Sequence, residues 1–200
     1  MKRKLWLVPP LFFLAGCSFV SNASRSELSA YAEPEDGDLA HVRLLGSRNV
    51  KIYPNSSCHS FDVPGSGYPA GPQMGGQRTR DLGIPKPGSM PKHFVEMVAR
   101  ADESITASFS YYSELTIPGA AGTGAPSMRR SSSCSVARRF VPRSGRNYEM
   151  AANWLSADQC SVQVFEIVAE GDGYTRRPVP SQTAEACAAS STTDSSAGAK

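Results

Sequence analysis

The chain has 200 residues, enough for one domain of ordinary size, and its formal charge of +3 is carried by Lys2, Arg3 and Lys4, so the remainder balances to zero (3 − 3). A balanced chain offers no global electrostatic case for nucleic acid or for an anionic membrane surface. With 17 Gly, 15 Pro and 40% hydrophobic residues it is turn-rich, which favours short strands over long helices.

Behind the three cations, Leu5 to Leu14 form an apolar run of ten residues that ends in Leu14-Ala15-Gly16-Cys17. As a helix this run spans ~15 Å, about half of a bilayer core. Pro9 and Pro10 interrupt it further, so it suits a cleaved signal better than a permanent span. These residues resemble the signal peptide of bacterial lipoproteins, and the last four match the lipobox of that class. The alternative is an ordinary secretory signal with a chance cysteine. The resemblance implies cleavage before Cys17, a diacylglycerol on its sulfur and an acyl chain such as palmitate on its new amino group. Two kinds of acyl attachment anchor stably where one chain alone does not. Ser18 in the following position implies, by the same resemblance, export to the outer membrane. The organisation expected is a signal peptide over 1–16, a lipidated tether over 17–37, a β-domain over 38–187 and a disordered tail over 188–200.

Strand signals begin with Val42 and Leu44 alternating with His41 and Arg43, then Val50 and Ile52 alternating with Lys51 and Tyr53. Gly46 to Asn49 lies between them as an expected hairpin turn. Residues 64–92 are rich in Gly and Pro and read as a long loop entered at Cys58. Phe94 to Val98 fit one helical turn or a strand, and the strand is the reading adopted. Over 104–112, Ile105, Ala107, Phe109 and Tyr111 share one face and serines and Thr106 the other. Residues 113–130 return to loop composition. Three strands then follow, led by Cys134, Tyr148 and Cys160, and read as an antiparallel meander. A last short strand falls near Tyr174 to Val179. The pattern predicts an all-β, disulfide-stapled antiparallel sandwich of the immunoglobulin-like or transthyretin-like kind, with a small closed barrel as the rival. The stretch Phe140 to Glu149 (FVPRSGRNYE), ahead of a cysteine-led strand, is similar to one in small uncharacterised proteobacterial lipoproteins; it implies no activity.

Cys58, Cys134, Cys160 and Cys187 remain after Cys17, an even number in an oxidising compartment, so two disulfides are expected. Sequence allows three pairings; the one adopted is Cys134–Cys160 with Cys58–Cys187. No two lie close enough for a zinc knuckle, so no metal and no cofactor is expected. The catalytic inventory is thin. Neighbours such as Cys58 and His59 point apart in an extended chain and cannot form a dyad. His59 and Asp62 have no nucleophile elbow to serve. Gly75-Gly76-Gln77-Arg78 lacks the Lys-Ser/Thr of a phosphate loop. Glu149, inside a strand, faces water or pairs with Arg138 or Arg139 across the ladder.

Six arginines fall between Arg129 and Arg146 with no acid among them, and Arg129, Arg130, Arg138 and Arg139 are the candidate binding residues. They suit phosphate or carboxylate groups, or they are a solvated face that keeps an edge strand from aggregating. The function expected is a non-enzymatic binding or scaffold module, membrane-anchored through its N-terminal lipid, for an envelope protein partner. The alternative is a binder of peptidoglycan or lipopolysaccharide through the arginines. A further alternative is a hydrolase with its site in the 64–92 loop.

Overall fold

The structure, a computed structural model, describes residues 29–46, 49–60, 62–69, 80–87, 90, 94–118, 126–171 and 173–188. Cys17 with its lipobox, the first part of the expected tether, His93 and the tail beyond 188 lie outside the described residues. The elements are β1 (Leu39–Leu45), β2 (Asn49–Pro54), β3 (Phe94–Arg100), β4 (Ile105–Ile117), β5 (Met128–Phe140), β6 (Asn147–Ser156), β7 (Gln159–Glu170), β8 (Gly173–Pro178) and β9 (Gln182–Thr183). They form two sheets, ordered β3-β1-β6-β7-β8 and β2-β4-β5-β9. This is the predicted all-β, disulfide-stapled sandwich.

Period-two alternation builds the core. Val42 and Leu44, Met97 and Ala99, Tyr148 and Met150, and Val162 and Val164 line the inner face of the first sheet. Val50, Ile52, Ala107, Phe109 and Phe140 meet them from the second. Each large side chain so buried contributes roughly 1.5–3 kcal/mol. Cys134 on β5 bonds Cys160 on β7, joining the sheets face to face, and Cys58 after β2 bonds Cys187 after β9.

Several expectations of connectivity are corrected. β1 and β2 are not a hairpin, for they lie in different sheets. Gly46 turns the chain between them at φ +89°, and a Cβ there would sit 1.9 Å from the carbonyl oxygen of Ala152, so only glycine fits. β1 instead lies parallel to β6, with Val42 opposite Tyr148 and Leu44 opposite Met150; the other strand pairs are antiparallel. Nor do β5, β6 and β7 form one meander. The turn at Pro142 to Gly145 carries the chain from the second sheet to the first, and the meander is β6-β7-β8. The expected tether ends earlier than Gly37, because Tyr31 is a core residue and its amide donates to the carbonyl of Tyr68 at 3.0 Å. The described part of the 64–92 loop is likewise fastened: Gly67 and Ile52 exchange backbone bonds of 2.8 and 3.0 Å.

Candidate interaction surface

Arg43, on the outer face of β1, has no exposure at all. The registers place Glu96 of β3 directly on one side of it and Glu149 of β6 directly on the other. Its guanidinium meets Glu96 at 2.8 Å and Glu149 at 3.4 Å, and both carboxylates are buried. The cover is residues 80–87, part of the glycine- and proline-rich loop, which lays Ile84 against this face at 1% exposure. The guanidinium donates to the backbone carbonyls of Ile84 and Pro85, and Glu96 accepts the amides of Leu82 and Ile84. Lys86 donates to Asp81, which with the Gly83 amide holds that carboxyl below its ordinary range. Glu149 then reaches outward to Arg176 at 2.6 Å, whose guanidinium lies 4.1 Å from the Phe165 ring centroid. The partners of Glu149 are therefore Arg43 and Arg176, not Arg138 or Arg139, because β6 lies beside β1 and not beside β5. Two cations and two anions use their donors and acceptors on one another and on backbone. The cluster fastens a loop to a sheet over the buried Arg43, Glu96 and Glu149.

The four candidate arginines do not converge. Arg129 and Arg138 stand nine positions apart on β5, about 30 Å in a strand. Alternation sets Arg130 and Arg138 on the inner face and Arg129 and Arg139 on the outer. Arg138 is half-buried, and its Nε has no hydrogen-bond partner. Arg139 donates to the Gln182 side chain and lines a cleft of about 820 Å³ with Arg143, Ser57, Ser104 and Glu166. There the hydroxyl of Tyr148 accepts the Arg143 amide at 2.9 Å, and burial pushes that phenol above its ordinary pKa.

Arg129 and Arg130 belong to a different place. The sandwich ends at the Cys134–Cys160 disulfide, where the Tyr111 and Trp154 rings meet with centroids 5.8 Å apart. β4 and β5 run on past that level for six more pairs, from Tyr112 opposite Ser133 to Ile117 opposite Met128. The overhang is a two-stranded ribbon of about 20 Å. Its inner face continues the apolar face of β4 with no sheet opposite among the described residues: Leu115, Ile117 and Met128 are 57, 46 and 68% exposed, and Arg130 sits across from Leu115. On the outer face Glu114 takes a hydrogen bond from Tyr112 at 3.2 Å and pairs with Arg129 at 3.4 Å. Among the described residues Arg130 has no acidic partner. Leu155, near the β6–β7 turn, is 64% exposed. β2 pairs with β4 only as far as Ser110, and β9 pairs with β5 only at Arg138 and Arg139, so both edges of the ribbon are open among the described residues.

The expectation of loop over 113–130 is corrected at both of its ends; it arises because Gly, Ala and Pro dominate the middle of that stretch. The opposing signal is local: Leu115 and Ile117 resume the alternation of Phe109 and Tyr111 after Ser113.

The remaining chemistry-bearing residues cluster near the Cys58–Cys187 bond. Ser56 Oγ donates to the Cys58 carbonyl at 2.7 Å, Ser60 Oγ accepts the Asp62 amide at 3.3 Å, and His59 lies 6.0 Å from Tyr53 with its Nδ1 unpartnered. Ser56, Ser60 and Asp62 line a pocket of about 440 Å³ there, but the hydroxyls of Ser56 and Ser60 bond the Cys58 carbonyl and the Asp62 amide, and His59 Nδ1 meets neither. The chain matches no protein-family model, no curated protein and no solved structure.

Proposed function

We propose that this chain is an envelope lipoprotein, anchored to the outer membrane through Cys17, whose sandwich is a non-enzymatic docking or scaffold module for an envelope protein. The observation that carries the reading is the overhanging ribbon. A stapled domain of this size has no structural need to expose Leu115, Ile117 and Met128 beyond its last packed rung. A contiguous apolar patch with an adjacent cation is the usual mark of an interface. Two-stranded ribbons are marginally stable in water by themselves, so a surface that covers this one also orders it.

The test has two arms in the protein's own cells. Cys17→Ala is expected to move the chain from the membrane to the soluble envelope fraction; persistent membrane association contradicts the anchor. A photoreactive phenylalanine replacing Ile117 is expected to capture one abundant envelope protein, whereas the same group replacing Arg177, on β8, captures none. Equal capture from both positions, or capture from neither, contradicts the docking surface.

A second reading, a binder of peptidoglycan or lipopolysaccharide, draws on the cleft at Arg139 and Arg143. It requires salt-sensitive retention on the purified polymer and loss of that retention on reversing charge at Arg138 and Arg139.

A further inference from the structure

The open edge of β5 specifies the partner more closely than exposed apolar area does. The Ala137 carbonyl accepts the Ala184 amide at 3.1 Å, on the side of β5 away from β4. The β4–β5 register is unbroken over its thirteen pairs. In an antiparallel ladder successive residues alternate between bonding their partner and pointing away from it. Arg129, Ser131 and Ser133, which share the parity of Ala137, therefore aim both N–H and C=O out of the open edge. β9 occupies that edge at Arg138 and Arg139 only. The line β9 begins is vacant beside residues 128–133 among the described residues.

We infer that the partner supplies an extended segment, a strand of another envelope protein, which adds to β5 at residues 128–133 with an acidic side chain against Arg130 and apolar side chains two positions to either side. The inference rests on the docking reading above and names the form of its ligand. Three observations select the occupant. Outward N–H and C=O groups ask for a hydrogen-bonding strand; a bilayer core would leave them unpaired at a cost of several kcal/mol each. On the inner face an added strand alternates its side chains over Met128, Arg130 and Ser132, extending the patch of Leu115 and Ile117. Arg130 then wants a carboxylate. The only acid on the described ribbon, Glu114, already takes Arg129 and Tyr112. A second copy of this chain fits poorly, because two β5 edges paired about a twofold axis bring Arg129 and Arg130 of each close to those of the other, and like charges in register destabilise.

The experiment uses the full chain in its own cells, with the photoreactive phenylalanine at Ile117 as probe and two second-site variants. Ser131→Pro removes one outward N–H and leaves the β4 ladder bonded, the arrangement in which an edge strand tolerates proline. Arg130→Glu keeps every backbone group and reverses the charge. Capture of the same partner is expected to fall about tenfold in each, as befits a lost backbone bond or a reversed ion pair. The captured peptide, read by mass spectrometry, is expected to carry an acid flanked at two residues by apolar side chains. Capture undiminished in Arg130→Glu, or undiminished in a Ser131→Pro chain of unchanged thermal midpoint, overturns strand addition and leaves face docking standing. Capture of a second copy, or of lipid alone, also overturns it. No capture from Ile117 even without the second-site changes removes the docking reading itself.

Discussion

Arg43→Met is expected to lower the unfolding free energy by about 3–5 kcal/mol, the range for breaking a buried ion pair by removing one partner. The size follows from what is left behind. Glu96 and Glu149 stand on the two strands that flank Arg43, both buried, with no cation between them. The carbonyls of Ile84 and Pro85 lose their donor as well. Combining Arg43→Met with Glu96→Gln and Glu149→Gln is expected to recover at least half of the loss. The two amides remove the stranded charge, and the carboxamide oxygen introduced at position 96 can still accept the Leu82 N–H that Glu96 holds now. Urea midpoints with unchanged slopes measure both quantities. If the single and triple variants melt together, the network is not electrostatically closed in the way its geometry indicates.

The two disulfides are expected to differ in weight. Cys58–Cys187 spans 129 residues and Cys134–Cys160 spans 26. In the chain-entropy model the first contributes about 5 kcal/mol and the second about 3.5. The double change Cys58→Ser with Cys187→Ser is therefore expected to depress the oxidised thermal midpoint more than Cys134→Ser with Cys160→Ser. All three proteins should melt alike under a strong reductant. The reverse order would mean that residues 182–187 are held by their contacts and not by the bond. Those contacts include the two β5–β9 pairs, the Arg139 bond to Gln182, the Ala184 amide to Ala137, and the backbone exchange of His59 with Glu185 and Cys187 at 3.0 Å.

Alternation in the sequence carries the fold class because it reports which side chains share a face. Ile105, Ala107 and Phe109 are buried together, as their spacing predicts. The cysteine pairing adopted from sequence is the one present. Alternation does not report which sheet a strand joins. Gly46 reads as a hairpin residue, and its role as a corner depends on the carbonyl of Ala152, about a hundred residues away in sequence. Nor does it report whether an outer face is covered. Arg43 alternates with Val42 and Leu44, which places it on the outer face but does not show that face covered; it is buried because an irregular segment with a single well-placed Ile84 crosses over it. The arginine run is legible as composition and misleading as a patch. Consecutive arginines in a strand point to opposite faces, and β5 is long enough to part the two pairs by about 30 Å.

Hydrogen exchange on the full chain, compared between native envelope membranes and the detergent-purified protein, tests the docking account most directly. A ribbon covered by a partner is predicted to exchange about tenfold slower in the envelope over residues 112–117 and 128–133, with core strands such as β1 and β6 unchanged. Equal exchange of the ribbon in the two states would contradict the account, because the exposed apolar overhang would then be unoccupied in the envelope membranes in which the partner is proposed to sit.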